Sequence, residues 1–269
     1  MRRRLACIAL LLIFIAVGGN LAVAIWDAIA QDKLGQIHFP ISCTSLSQRL
    51  FDNGLARLHS LRFRESEGAF TAIAQAEPEC AIAYWGIAMS RLGRPVAGVR
   101  APDDVAAGRD ALRSAEKASL ATQRERDYIG ALRMLFGEDD RLGWYERTIA
   151  YERAMAALAA RYPDDVEAGI FYALALNLAA NPADKSFDKQ TKAAELLLLA
   201  LGEHPEHPGL AHYLTYCLSL PRQDVSDLPA LSTYRLTSQI QSILGALALV
   251  GVGIFLVAVW PVWSRVKSA

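Results

Sequence analysis

The chain has 269 residues, with 28 basic and 28 acidic side chains and 53% hydrophobic content. Balanced, interspersed charge excludes the basic footprint of a nucleic-acid-binding protein. Much of the apolar excess lies at the two ends. The mildly acidic middle, residues 31–238, is long enough for one domain with a sizeable core.

In chain order, Arg2, Arg3 and Arg4 precede an apolar run over residues 5–17, followed by Gly18, Gly19 and Ala28-Ile29-Ala30. A basic start, an apolar core and a small-residue site make the pattern of a secretory signal peptide, cleaved after Ala30. The competing reading keeps residues 1–30 as an N-terminal transmembrane helix, since 21–25 extends the apolar run. Either way the arginines stay on the cytoplasmic side.

Cys43, Cys80 and Cys217 then meet an oxidising compartment. Cys43 precedes the first helix and Cys80 follows the helix that packs back on it, so a Cys43–Cys80 disulfide is expected. Cys217 is expected to be a buried free thiol. No C-x-x-C is present, so neither a redox motif nor a structural zinc site is signalled.

The middle, 31–220, reads as helix after helix. Ser45-x-x-Gln48 opens the first as a capping box, with Leu50, Phe51, Gly54, Leu55 and Leu58 at helical spacing. A second carries Ala69, Phe70 and Ile73 inward and stops at Pro78. A third, 81–92, carries Tyr84, Trp85, Ala88 and Met89. Pro95 and Pro102 bracket a loop, after which Asp103 or Asp104 caps a helix through residue 118. Thr122-x-x-Glu125 begins the next, with Tyr128, Ile129, Leu132 and Phe136. Helices over about 144–161, 166–180, 187–203 and 209–220 follow. Asp164 and Ser186 serve as caps, and Pro182, Pro205, Pro208 and Pro221 as breaks. The fold class is all-α.

A linker, 221–238, then leads to a segment without charge or strongly polar side chains, 243–263, inside a transmembrane helix placed at 239–264. About 20 apolar residues in a helix span the ~30 Å hydrocarbon layer. Trp260 and Trp263 sit at one end, with Arg265 and Lys267 in a cytoplasmic tail, 265–269. Gly245, Ala248, Gly251 and Gly253 offer small residues for close helix approach in the membrane. The expected location is the cytoplasmic membrane, with the helical domain on the periplasmic or extracellular side and lipid contacted by the C-terminal helix.

The helices also repeat. On the tetratricopeptide signature, Gly54 takes the small position of a first helix, Phe70 the aromatic position of its partner, and Pro78 the terminating proline. Ala193, Leu197, Ala200 and Pro205 fill the same offsets later. Units ending at Pro78, Pro163 and Pro205 are unevenly spaced, which predicts an irregular helical-hairpin solenoid with an inserted helix near 103–119.

The stretch 41–214 resembles a family of exported bacterial tetratricopeptide-repeat proteins. The resemblance rests on Phe51-x-x-Gly54, Ala81-Ile-Ala-Tyr-Trp-Gly86, Arg124-Glu-Arg-Asp-Tyr-Ile129, Arg161-Tyr-Pro-Asp-Asp165 and His204-Pro-Glu-His-Pro-Gly-Leu-Ala-His-Tyr213. Members of the family continue into further repeats, whereas this chain turns into Pro221 and an anchor. Functions that reside in those repeats do not carry over. In the family pattern a further histidine and an acidic residue follow the last motif. Tyr216 and Ser219 stand there in this chain.

That resemblance implies an interaction surface for a protein partner, a membrane protein or complex to which the chain is an accessory subunit. In tetratricopeptide stacks the first helices line the concave groove. Tyr84, Met89, Tyr172, Asn177, Tyr213 and Tyr216 are the candidate contacts, while Trp85 is expected in the core. The charged run 124–127 reads as a solvated face with i,i+3 and i,i+4 ion pairs. His204, His207 and His212 form a metal-ligand alternative, since imidazole suits zinc, copper or iron. Their place in a proline-rich turn and on an apolar helix favours a structural role. No nucleophile elbow, P-loop, dinucleotide fingerprint or H-E-x-x-H occurs, so neither an enzyme nor a cofactor is expected.

Overall fold

A computed structural model describes residues 34–94, 98–137 and 141–218. These lie in the first of two compact units, which ends at Ser219. The expected leader, linker, transmembrane helix with Gly245, Ala248, Gly251 and Gly253, and cytoplasmic tail lie outside the described residues. Among the described residues no helix is long and apolar enough to cross a membrane.

Nine helices are present among them: α1 (Ser45–His59), α2 (Phe63–Ala76), α3 (Ala81–Leu92), α4 (Pro102–Lys117), α5 (Gln123–Phe136), α6 (Trp144–Arg161), α7 (Val166–Leu178), α8 (Asp188–Glu203) and α9 (Leu210–Leu218). Local chemistry sets several starts. Thr122 and Glu125 form a complete capping box on α5, and Asp165 caps α7 by accepting from Ala168 N–H. At α1 the cap is Thr44, one residue before the expected Ser45, and it accepts from the Ser47 amide. At α4 the start is set by Pro102 in the first turn, after Ala101, with no side-chain cap from Asp103 or Asp104. Asp164 yields its expected capping role to Asp165. Phe187 in a left-handed conformation, not Ser186, precedes α8.

Consecutive helices pack against one another as hairpins, and α1 also meets α3, α3 meets α5 and α7 meets α9. The helix expected as an insertion, α4, packs extensively on α3 and completes a regular hairpin. The spacing looked uneven because α4 ends at Lys117 without the proline that follows the other hairpins. Between α1 and α3 the packing is tight. A Cβ at Gly54 would stand 3.0 Å from the Phe70 ring, and one at Gly86 only 2.4 Å from it. Small residues there let the Phe70 ring of α2 fill the space between two hairpins.

The odd-numbered helices share an inner side. Phe51 of α1, Trp85 of α3, Tyr128 of α5 and Phe171 of α7 form one aromatic nest, with Trp85 and Phe171 centroids 5.3 Å apart. Its remaining member is Phe39, fully buried, whose ring lies 5.3 Å from Phe51 and 5.1 Å from Tyr128. The extended segment that carries Phe39 is strapped down through its main chain. Asp52 accepts from Phe39 N–H at 3.0 Å; Gln48 donates to Phe39 C=O at 2.8 Å and accepts from Ile41 N–H at 2.9 Å. Cys43 and Cys80 form a disulfide that fixes the strap to the start of α3, across a sequence separation of 37. Cys217 is free and buried, its thiol pushed up to about 12 by burial.

Candidate functional site

The starts of α5 and α7 and the turn between α8 and α9 border, with the strap, a cleft of about 810 Å³. Its lining includes His38 and Pro40 of the strap, Arg124 of α5, Asp164 of the α6–α7 turn, and His204 and His207 of the α8–α9 turn. Arg124 is the cleft's organiser. Its guanidinium stacks 3.9 Å from the Phe39 ring centroid, donates to Asp165 at 2.6 Å and to Pro40 C=O at 3.1 Å. Burial works against its charge, but the Asp165 hydrogen bond and carboxylate more than offset it and raise the pKa.

The run 124–127 is therefore a tertiary clamp, contrary to the solvated face expected from its charges. Glu125 is fully buried, with Ser42 N–H donating to one oxygen at 2.9 Å and Thr122 N–H to the other at 2.5 Å. Asp127 accepts from Arg161 and from Tyr162 Oη, each at 2.8 Å. Only Arg126 is exposed. These charges are spent on holding three chain segments together, because the start of α5 sits where they converge.

At the base of the cleft lies a buried cluster of His59, Glu167 and His207. His59 ends α1, on the same side as Phe51 and Leu55, and is fully buried. Glu167 is the second residue of α7, and His207 lies in the α8–α9 turn. Glu167 Oε2 stands 2.9 Å from His59 Nε2, and Oε1 stands 3.1 Å from His207 Nε2. On the far side of His59, Tyr213 Oη is 2.8 Å from Nδ1. His212 Nε2 hydrogen-bonds the His59 carbonyl and so ties α9 to the end of α1.

Proton placement follows from these contacts. Gly209 N–H donates to His207 Nδ1 at 3.2 Å, which leaves Nε2 as the ring nitrogen that points a proton at Glu167. Burial lowers the His59 pKa. The Glu167 carboxylate pulls it back only in part. For Glu167, burial opposes ionisation, but the two imidazoles beside it, chiefly His59, and the hydrogen bonds from both prevail. They hold its carboxyl well below the usual carboxylate range.

The histidines singled out by the sequence thus separate. His207 joins the cluster; His204 sits exposed at the cleft rim, and His212 supports the backbone. His59 and Glu167 take the places assigned to the other two. The candidate partner contacts separate as well. Tyr84, Tyr172 and Tyr216 are partly exposed, with Tyr84 Oη donating to Pro78 C=O and Lys192 Nζ over the Tyr172 ring. Met89, Asn177 and Tyr213 are buried instead, Met89 and Tyr213 around a small gap that they share with Leu58, Tyr151 and Phe171.

No family model, curated protein or solved structure matches this chain.

Proposed function

We propose that this chain is a membrane-tethered scaffold of tetratricopeptide-like helical hairpins. It presents its interaction surface on the outer face of the cytoplasmic membrane as an accessory subunit of a membrane protein complex. The observation that carries the reading is the cleft of about 810 Å³ between the strap, the starts of α5 and α7 and the turn between α8 and α9. Concave clefts with a few placed polar groups are where partners and ligands bind. The sequential pairing of helices, with Phe70 against Gly54 and Gly86, supports the tetratricopeptide-like assignment. The uncharged segment 243–263 and its flanking Arg265 and Lys267 support the tether.

The partner's entry is expected at the cleft rim, not at the inner aromatic nest, which the chain's own Phe39 fills. A photo-crosslinking side chain placed at His38 or His204 of the full-length protein in its native membrane tests this. Both positions are expected to yield one discrete adduct, while the exposed Leu199 on α8, outside the cleft lining, yields none. Equal labelling from Leu199, or no adduct from the rim, overturns the cleft as the docking site. Orientation has its own test, since protease added to intact spheroplasts is expected to degrade the helical domain. Protection until lysis reverses the topology.

A further inference from the structure

We propose that His59, Glu167 and His207 form a binding site for a divalent transition-metal ion of the zinc type. The proposal goes beyond the scaffold reading and stands on the geometry of the three side chains. Two imidazole nitrogens and one carboxylate oxygen make a borderline donor set, the kind that zinc and its neighbours take with one or more positions left open. The three ligand atoms lie within 4.8 Å of one another. Donors about 2.1 Å from a tetrahedral ion stand roughly 3.4 Å apart. Glu167 meets the two imidazoles through different oxygens, Oε2 at 2.9 Å from His59 and Oε1 at 3.1 Å from His207, each within about half an ångström of that spacing. Small outward rotations of the three side chains make room for the ion.

Charge gives a second, independent reason. Glu167 is buried, and its ion-pair partners among the described residues are the two imidazoles. A divalent cation seated between the three groups puts a full positive charge beside that buried carboxylate. Glu167 and His207 also line the cleft, which gives an ion a route from solvent and a side open to water or a ligand group.

The surrounding groups suit one ligand better than the other. When Nε2 of His59 ligates the ion, its proton moves to Nδ1, where Tyr213 Oη is in place to accept it at 2.8 Å. For His207 the same shift puts a proton on Nδ1, facing the Gly209 N–H that now donates to it. Binding therefore turns the Gly209 amide away from the ring. Both protons move within their rings and none is released. The site passes from one net negative charge to one net positive.

The test uses the full-length, tag-free chain in mild detergent, stripped with a chelator and titrated with zinc against a chromophoric competitor, with cobalt(II) absorption as a spectroscopic reporter. Cys217→Ser serves as the background, so that the free thiol is not counted. Expected are one zinc per chain, a raised unfolding midpoint, and a cobalt spectrum of nitrogen–oxygen ligation. His207→Asn is expected to weaken binding at least tenfold, and His204→Ala to leave it unchanged. Should His207→Asn fail to fold, Tyr213→Phe removes only the acceptor of the His59 proton and is expected to weaken binding severalfold. No uptake by the parent chain at tenfold excess overturns the proposal, as does affinity untouched by whichever of these two variants folds.

Discussion

Two glutamates at the starts of inner helices occupy nearly the same local position and do different things. Glu125 is the third residue of α5 and Glu167 the second of α7. Both are buried, and both bind a group from the first part of the chain. A helix N-terminus favours a carboxylate in either case. The difference lies in what answers the two oxygens. Around Glu125 the donors are the amides of Ser42 and Thr122, which carry their protons at every ordinary pH. Around Glu167 they are two imidazoles, which can lose, gain or relocate theirs. A carboxylate held by amides is a fixed joint, and one held by imidazoles is a centre whose charge state can change.

The sharpest way to break that contrast is to remove each side chain in turn. Glu167→Ala leaves two interior Nε2–H groups without an acceptor, each costing about 1–3 kcal/mol where water cannot replace it, and is expected to cost about 3–5 kcal/mol. Glu125→Ala frees two amides near the cleft edge and is expected to cost about 1–3 kcal/mol. Urea unfolding of the oxidised chain measures both. A larger loss at Glu125 inverts the ranking.

The disulfide discriminates the two sites further. Cys43 directly follows Ser42, whose amide Glu125 holds. Replacing Cys43 and Cys80 by Ser is expected to cost about 3–4 kcal/mol through the freed loop. In a double-mutant cycle this change is expected to couple to Glu125→Ala by at least 0.5 kcal/mol, and to add independently to Glu167→Ala. Coupling at Glu167 and not at Glu125 would show that the strap transmits to the wrong glutamate.

How much of this is legible in sequence follows the same division. Thr122-x-x-Glu125 is a local pattern, and it announces the α5 start correctly. What the pattern does not show is the third partner, Ser42, which lies 83 residues away. Glu167 looks like an ordinary first-turn acid of an apolar helix. Two signals were nonetheless present: it is the only charged residue in 166–180, and it shares a side with Ile170, Phe171 and Leu174. His59 similarly continues the Phe51, Leu55 and Leu58 side of α1. Periodicity assigns all of these inward, yet it cannot pair residues 108 apart. Nor does it tell an open concave groove from one filled by the chain itself. Met89, Asn177 and Tyr213 are expected on a groove surface and are buried, while Phe39, which lies outside every helix, carries no periodic signal.

The smallest effect, and the one that tests the titratable character most directly, is the pH dependence of stability. Burial lowers the His59 pKa below its ordinary 6.5, and burial also lowers that of half-buried His212. In the unfolded chain these rings take up protons as the pH falls through 6.5, whereas the folded protein resists until a lower pH. Stability is therefore full above about pH 6.5 and declines below it, with a slope of at most about 1.4 kcal/mol per pH unit for each proton. Glu167 adds to the loss lower down. Its unfolded form protonates near 4.5 while its folded form stays ionised, so its contribution is present above 4.5 and fades beneath. Between pH 6.5 and 5 the expected loss is about 1–2 kcal/mol, most of it from His59 because His212 is partly solvated. In His212→Gln the slope should shrink and persist. A flat profile over that interval in the variant means that His59 takes up its proton as readily in the folded chain as in the unfolded one. Glu167 would then be answered by a full positive charge, and the contrast with Glu125 would disappear.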